Sequence, residues 1–423
     1  MAVRSLLCLA AALPAVVQGS ALRSTSAVVR APMASPRASL RCTATEPTRI
    51  TSFPLGKVEA EFRATRARGA LYPHKVEVLQ SMEPFVEKHL TILKTVEESW
   101  QPQDFLPDMM REDWREQVAA LRHECAGISD ALLVAIVGDT VTEEALPTYQ
   151  TLLNTFEGME DPTGTSQNPW ARWSRGWTSE ENRHGDLLNK FLFLSGKVDM
   201  RQLEVTTQTL IKDGFNPSGE KDPYRGIVYT SFQERATKIS HQNVARLCGE
   251  SGAKKLAIMT TRIAVQPSKT NLDTNNFTNG RKKTKKTHRH EMAYQAFMKE
   301  IFRVDTSNAM LCFADMMKAQ ITMPAELMSD GRNPHLFDDF SRVAQRIGVY
   351  TAVDYANIID YLVKEFNIEK MTGLNPEAQL AQETVCALPK RYQKLAERSM
   401  KGIMASKEED LVGKFSWLKQ QRN

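Results

Sequence analysis

From about Glu77 onward, apolar residues recur three and four positions apart with polar residues between them. No convincing run of strict alternation marks a strand. The pattern predicts helix after helix. In "DALLVAIVGDTVTEEALPTYQTLLNTF", Leu132, Ile136 and Leu146 share a face, and Ser129 or Asp130 can cap the start. Pro147 cannot donate to the carbonyl of Glu143, so the helix should loosen there. In "GWTSEENRHGDLLNKFLFLSG", Leu188 and Phe191 lie on one face and Gly196 can close the C-terminal end. "TAVDYANIIDYLVKEF" begins with a Thr351-x-x-Asp354 capping box. Long helices joined by short turns predict an all-α fold, an antiparallel bundle.

Two stretches break this pattern. "VQPSKTNLDTNNFTNGRKKTKKTH" (residues 265–288) is rich in Asn, Thr and Lys and almost without apolar residues, although helical segments flank it. It has too little surface to bury, so it should be a solvated, disordered insert. Its six basic residues read as a solvated charge run rather than a nucleic-acid patch.

The N-terminus differs again. "SLLCLAAALPAVVQGSA" has the apolar core and small-residue flank of a secretory signal, and is too short for a comfortable membrane span. The Ser/Arg/Ala-rich, acid-free "LRSTSAVVRAPMASPRASLR" that follows has the composition of a transit peptide. Residues 1–45 therefore read as a bipartite presequence, the arrangement that delivers a protein to a plastid bounded by extra membranes. The simpler alternative is a secreted protein. Residues 46–71 read as a flexible lead-in to the helical domain. No other segment is apolar enough to span a bilayer.

Charge adds little once this is set aside. The chain has 55 basic and 50 acidic residues, but five arginines and no acid fall in residues 1–45, so the remainder is balanced. No global basic field suggests nucleic acid. The six cysteines show no ligand spacing and read as reduced, mostly buried thiols.

The chemistry lies on the apolar faces. Glu181 and His184 share a face with Leu188 and Phe191, with Trp177 beside them. A buried unpaired carboxylate costs several kcal/mol, so Glu181 must be paired, protonated or bound to metal. Glu-x-x-His places both side chains one turn apart, as in helical metal half-sites, but a lone copy is also common on surfaces. Glu143 lies on the Leu132–Ile136–Leu146 face, and Glu234, in "YTSFQERATKISHQN", has Ile227, Thr237 and His241 near its own. Each could be an ordinary buried ion pair; Arg235 adjoins Glu234. Together they supply three of the four helices of a di-iron carboxylate site, and a fourth should bring another Glu-x-x-His.

"GDTVTEEALPTYQTLLNT", "WTSEENRHGDLLNKFLFLSGKVDMRQ", "YTSFQERAT" and "FADMMKAQITMPAELMSDGRNPHLFDDFSRVAQRIGVYTAVDYANIIDYLV" resemble the plastid acyl-(acyl-carrier-protein) desaturases, the stearoyl 9-desaturase family. The resemblance runs from about Tyr72 to Trp417, within a helical domain of residues 72–423. It implies a ferritin-like di-iron bundle with additional helices, a homodimer, two irons per subunit, and reduced ferredoxin as electron donor. It implies an acyl carrier protein bearing a saturated chain as substrate and a chloroplast stroma location. On matching positions, Glu143 and His184 would bind one iron, Glu234 and His290 the other, and Glu181 would bridge them. Thr237 would be the catalytic hydroxyl beside the oxygen-binding face, and Trp100 would lie on the electron route. The substrate tunnel would draw on Leu152, Thr155, Phe156, Pro217, Gly226 and Ile227, each of which could equally be core packing.

The fourth helix departs from the family. Its pattern there is "IAADEKRHETAY"; here "RIA" and "RHEMAY" match the ends, and the tract of residues 265–288 replaces "ADEK". His290 survives, the bridging Glu is Thr287, and the Asp before it is Lys286. Glu291 points about 100° away from His290 and is a poor substitute. Two readings stay open. The tract is a retained intron or gene-model error in a working desaturase, or the chain is a catalytically impaired, ferritin-like iron-binding paralogue.

Overall fold

The computed structural model describes residues 70–217, 219–265, 288–405 and 412–418. The expected presequence, the lead-in up to residue 69 and all of the polar tract except Val265 and His288 lie outside the described residues. The helices are α1 (Pro73–Ser81), α2 (Glu83–His89), α3 (Trp114–Glu124), α4 (Asp130–Glu144), α5 (Leu146–Leu153), α6 (Pro169–Ser195) and α7 (Met200–Asp213). They continue as α8 (Pro223–Glu250), α9 (Lys254–Val265), α10 (Arg289–Val304), α11 (Thr306–Ala319), α12 (Leu336–Arg346), α13 (Ala352–Glu365) and α14 (Pro376–Met404). Among the described residues there is no strand, only an isolated bridge between Val198 and Leu418. The described residues form an all-α fold, a bundle of long helices with additional shorter ones.

Local signals place the ends. The Ser129 hydroxyl accepts from the Leu132 amide at 3.2 Å and caps α4. Gly196, at φ 67°, ends α6 in the left-handed conformation that favours glycine. Thr351 and Asp354 form the reciprocal capping box of α13. The single long segment expected around Pro147 is instead two helices. α4 stops at Glu144 and α5 restarts at Leu146, with Pro147 in its first turn. The missing proline N–H ends one ladder, and its fixed φ suits the start of the next.

α4 packs on α6, α7 and α8, and α8 packs on α9 and α10. α6 meets α10 through the Trp173 ring, edge-on to Tyr294 at 5.8 Å and to Phe297 at 5.1 Å. Two apolar clusters result. One holds Trp170, Trp173, Trp177, Phe232 and Phe297; the other holds Ile136, Leu188, Phe191, Val244 and Ile263. Each large side chain so buried contributes about 1.5–3 kcal/mol before entropy is counted.

The helices change cluster part-way along. On α6 the first cluster ends at Trp177 and the second begins at Leu187; on α8 the change falls between Ala236 and Val244. α4 belongs to the second cluster, α5 begins in the first, and Glu143 lies at that join. The buried polar side chains Glu180, Glu181, His184 and His241 occupy these joins. A polar layer therefore lies between two dry cores, where its charges are held away from bulk water. Cys125, Cys248 and Cys312 are free and buried, as expected of reduced thiols. No single helix among the described residues is long and apolar enough to cross a membrane.

Candidate metal centre

Five predicted ligands meet in this layer, one or two from each of α4, α6, α8 and α10. On α6, one turn brings Glu181 Oε2 to 2.8 Å from His184 Nδ1. Glu143 Oε2, from α4, lies 3.5 Å from the same nitrogen. From α10, His290 Nδ1 lies 2.6 Å from Glu181 Oε1. Glu234, on α8, is 3 % exposed and accepts a hydrogen bond from Trp177 Nε1 at 2.9 Å. The ligand atoms of Glu143, Glu181 and His184 lie within 4.8 Å of one another, as do those of Glu181, Glu234 and His290. Glu181 belongs to both groups.

Neighbouring side chains support these groups. His241 Nε2 lies 2.7 Å from Glu143 Oε1, and its Nδ1 faces Asp139 at 3.6 Å. Asp139 accepts from the Ser240 hydroxyl at 3.0 Å. His290 Nε2 faces Glu180 Oε2 at 3.4 Å, long for a hydrogen bond. Arg289 donates to Glu180 at 2.8 Å. Trp100 stacks on His184 with centroids 5.9 Å apart and planes 7° apart.

Electrostatics follow from crowding acids and imidazoles without water. Burial lowers the pKa of His184, but the charge of Glu181 and hydrogen bonds to Glu143 and Glu181 outweigh it and raise it to about 10. His290 is raised to about 9 against the same burial, by Glu180 and Glu181. Burial pushes Glu181 up, yet the adjacent His184 and His290 hold it well below the usual carboxylate range. Glu234 goes the other way, to about 8, because burial and the Glu181 charge both oppose its ionisation. Protons here neutralise the acids as metal cations would, and a metal binding these side chains displaces them.

Two alternatives raised by the sequence are resolved. Arg235 does not pair with Glu234; it donates to Glu291 at 2.7 Å, and Lys238 joins it at 2.9 Å. Glu291 is thus turned to the cations of α8 and away from the metal groups, as its 100° offset from His290 requires. The composition of the tract misassigns His288, which is 3 % exposed rather than solvated. It caps α10, and its Nδ1 lies 3.3 Å from Glu234 Oε2.

A cavity reaches the ligands. Its polar lining includes Glu143, Glu181, His184, Glu234, Thr237 and His288; its apolar lining includes Leu146, Tyr149, Leu152, Phe156 and Met323. Gly226 lines it too, and a Cβ there would stand 2.8 Å from the Phe156 ring. Leu152 and Phe156 were expected there as well; Thr155 lines a separate cleft with Leu152 and Phe215, while Ile227 and Pro217 are buried. Thr237 accepts from Gln233 Nε2 at 2.7 Å. Sequence reasoning placed His241 beside Glu234, not behind Glu143, and passed over Asp139 and Glu180. Their signal was faint: Asp139 lies one turn before Glu143, and Glu180 simply precedes Glu181.

The fatty acid desaturase family model matches residues 74–277 and 282–419. The chain is 51% identical over 326 residues to the chloroplastic stearoyl-(acyl-carrier-protein) 9-desaturase of Spinacia oleracea, covering 77% of each chain. It is 46% identical over 373 residues to that of Olea europaea, covering 87% of this chain and 90% of the relative. It is 48% identical over 347 residues to that of Ricinus communis, covering 82% of each. With matches of this length over the same helices that carry the paired carboxylate–histidine groups, the chain belongs to the fatty acid desaturase family.

Proposed function

We propose that this chain is an acyl-(acyl-carrier-protein) desaturase that introduces a cis double bond, at C9 of a stearoyl chain, with oxygen and electrons from reduced ferredoxin. The observation that carries the reading is Glu181, shared by two buried carboxylate–histidine groups that line one cavity. The donor set, carboxylate oxygens and imidazole nitrogens clustered in a buried layer, suits two irons. The chloroplastic stearoyl-(acyl-carrier-protein) 9-desaturases among its relatives support the substrate class and a plastid location, which the bipartite presequence would serve.

Mid-chain methylenes have no acidic hydrogen, so the iron pair, when bound, supplies with oxygen the oxidising power that side chains lack. The rest falls to this chain. Glu143 and His184 would hold one iron, Glu234 and His290 the other, and Glu181 would belong to both groups. His241, Trp177 and Glu180 contact Glu143, Glu234 and His290 from behind and would hold these side chains in place for a metal. Leu152, Phe156 and Gly226 hold the acyl chain and keep water from it. Thr237 offers a hydroxyl in the cavity wall for handling a proton. Trp100, stacked on His184, lies where an electron can pass towards the centre. The substrate arrives on an acidic acyl carrier protein, and the working unit is a homodimer.

The test is to incubate the purified chain, loaded with iron, with stearoyl-acyl carrier protein, ferredoxin, reductant and oxygen, then locate the double bond by mass spectrometry. An oleoyl product supports the reading. Bound iron without any unsaturated product from acyl chains of several lengths overturns it.

A further inference from the structure

The two metal groups are not equally furnished. Measured against the family pattern, both groups have lost the carboxylate they would share, since position 287 is Thr. An additional donor stands beside the group on α8 and α10. His288 is 3 % exposed, lines the same cavity as Glu234 and Glu181, and lies edge-on to the His290 ring at 5.8 Å. The Glu291 amide donates to His288 Nδ1 at 3.2 Å, so Nδ1 presents a lone pair and the ring proton sits on Nε2. Glu234 Oε2 lies 3.3 Å from that same Nδ1. Two acceptors this close, in a dry layer, are held together only by a proton or a cation between them.

A cation fits. Ligands about 2.1 Å from one metal ion stand about 3 Å apart when adjacent in its coordination sphere. His288 neighbours Glu234 rather than all of the Glu181–Glu234–His290 group, which puts it at the Glu234 edge of that subsite.

We propose that His288 is a metal ligand of this chain, donating through Nδ1 beside Glu234. It would give the second subsite two imidazoles and two carboxylates, where the family pattern has one imidazole and three. The inference rests on reading the centre as a metal site. An imidazole replaces the lost donor but not its negative charge, so the subsite should favour divalent over trivalent ions more than a carboxylate-rich one would. The cap bond from Glu291 is given up when metal binds. That loss is small beside a metal–nitrogen bond.

The experiment uses the full chain with Co2+ as probe, followed by calorimetric titration and visible absorption. H288N keeps an N-cap acceptor but removes the imidazole; H288A removes both; H184A disables the other subsite. Circular dichroism establishes folding, and H288N serves if H288A fails to fold. The unaltered chain should bind two Co2+ per subunit. H288N should weaken one of them by about 10–100-fold and shift its visible bands, while leaving the ion lost in H184A unchanged. If H288N binds two ions with unaltered affinity and spectrum, His288 is only a cap and the proposal falls while the metal centre stands. If the unaltered chain binds no Co2+, the reading of the centre falls and this proposal with it.

Discussion

His290 Nδ1 lies 2.6 Å from Glu181 Oε1, although residues 266–288 separate the helix bearing His290 from the one before it. The contact holds because the anchors of α10 lie beyond the tract: Tyr294 and Phe297 pack on Trp173 of α6, and Arg289 pairs with Glu180. The packing of α10 on α8, with its ring contacts to Trp173 of α6, sets where His290 points.

Glu181 should therefore matter to both subsites and to the fold. Substituting Ala leaves His184 and His290 without their shared counter-charge, and breaking a buried pair costs about 3–5 kcal/mol. E181A should lose both metal ions, whereas H290A should retain the one held by Glu143 and His184. Metal analysis and chemical denaturation of the two variants check this. One full-occupancy ion retained in E181A contradicts it.

Much of this was legible beforehand. Glu143, Glu181, His184 and Glu234 stand on apolar helical faces, and a carboxylate there needs a partner wherever the helix packs. Three features were hidden for physical reasons. The break at Ala145 depends on how far a proline disturbs a ladder, which tertiary packing decides. The pairing of His241 with Glu143 joins α8 to α4 across 98 residues and has no local signature. His288 looked like part of a solvated tract because composition averages over a window, whereas its burial depends on the single turn that starts α10. Of the expected tunnel residues, Leu152, Phe156 and Gly226 line the cavity, while Ile227, one position along from Gly226, is fully buried.

Gly226 should set the bore of the cavity. A methyl group there meets the Phe156 ring at 2.8 Å, so one of them must shift. G226A should cost about 1–3 kcal/mol of stability through overpacking and move the preference towards shorter acyl chains. Thermal unfolding and product analysis with acyl chains of graded length measure both. Unchanged stability and unchanged chain-length preference contradict it.

Glu326 should make stability depend on pH. Burial raises its carboxyl from the ordinary 4.5 to about 7, against a hydrogen bond from the Met323 amide that lowers it. Between those values the folded state binds more protons than the unfolded one, so stability falls as pH rises through the window. Below pH 4.5 both states are protonated and the contribution is fully present. In E326Q the fall between pH 4.5 and 7 should be smaller than in the unaltered chain. Parallel denaturation curves for the two proteins across that window contradict this.

Docking of the acyl carrier protein should be steered by local charge. Outside residues 1–45 and 265–288 the chain has 44 basic and 49 acidic residues, so an acidic partner can be attracted only by a basic patch. The association rate should fall as ionic strength rises from low to moderate values. Stopped-flow association over that range checks it, and a rate independent of salt contradicts it.

The most direct measurement is the iron content of the unaltered full chain after anaerobic Fe2+ loading and desalting, combined with Mössbauer spectroscopy. Two irons per subunit, magnetically coupled through the shared Glu181 once oxidised, are expected from the two groups. A single uncoupled iron per subunit, or none, would show that the polar layer between the two apolar clusters is an ion-pair network and not a paired metal centre.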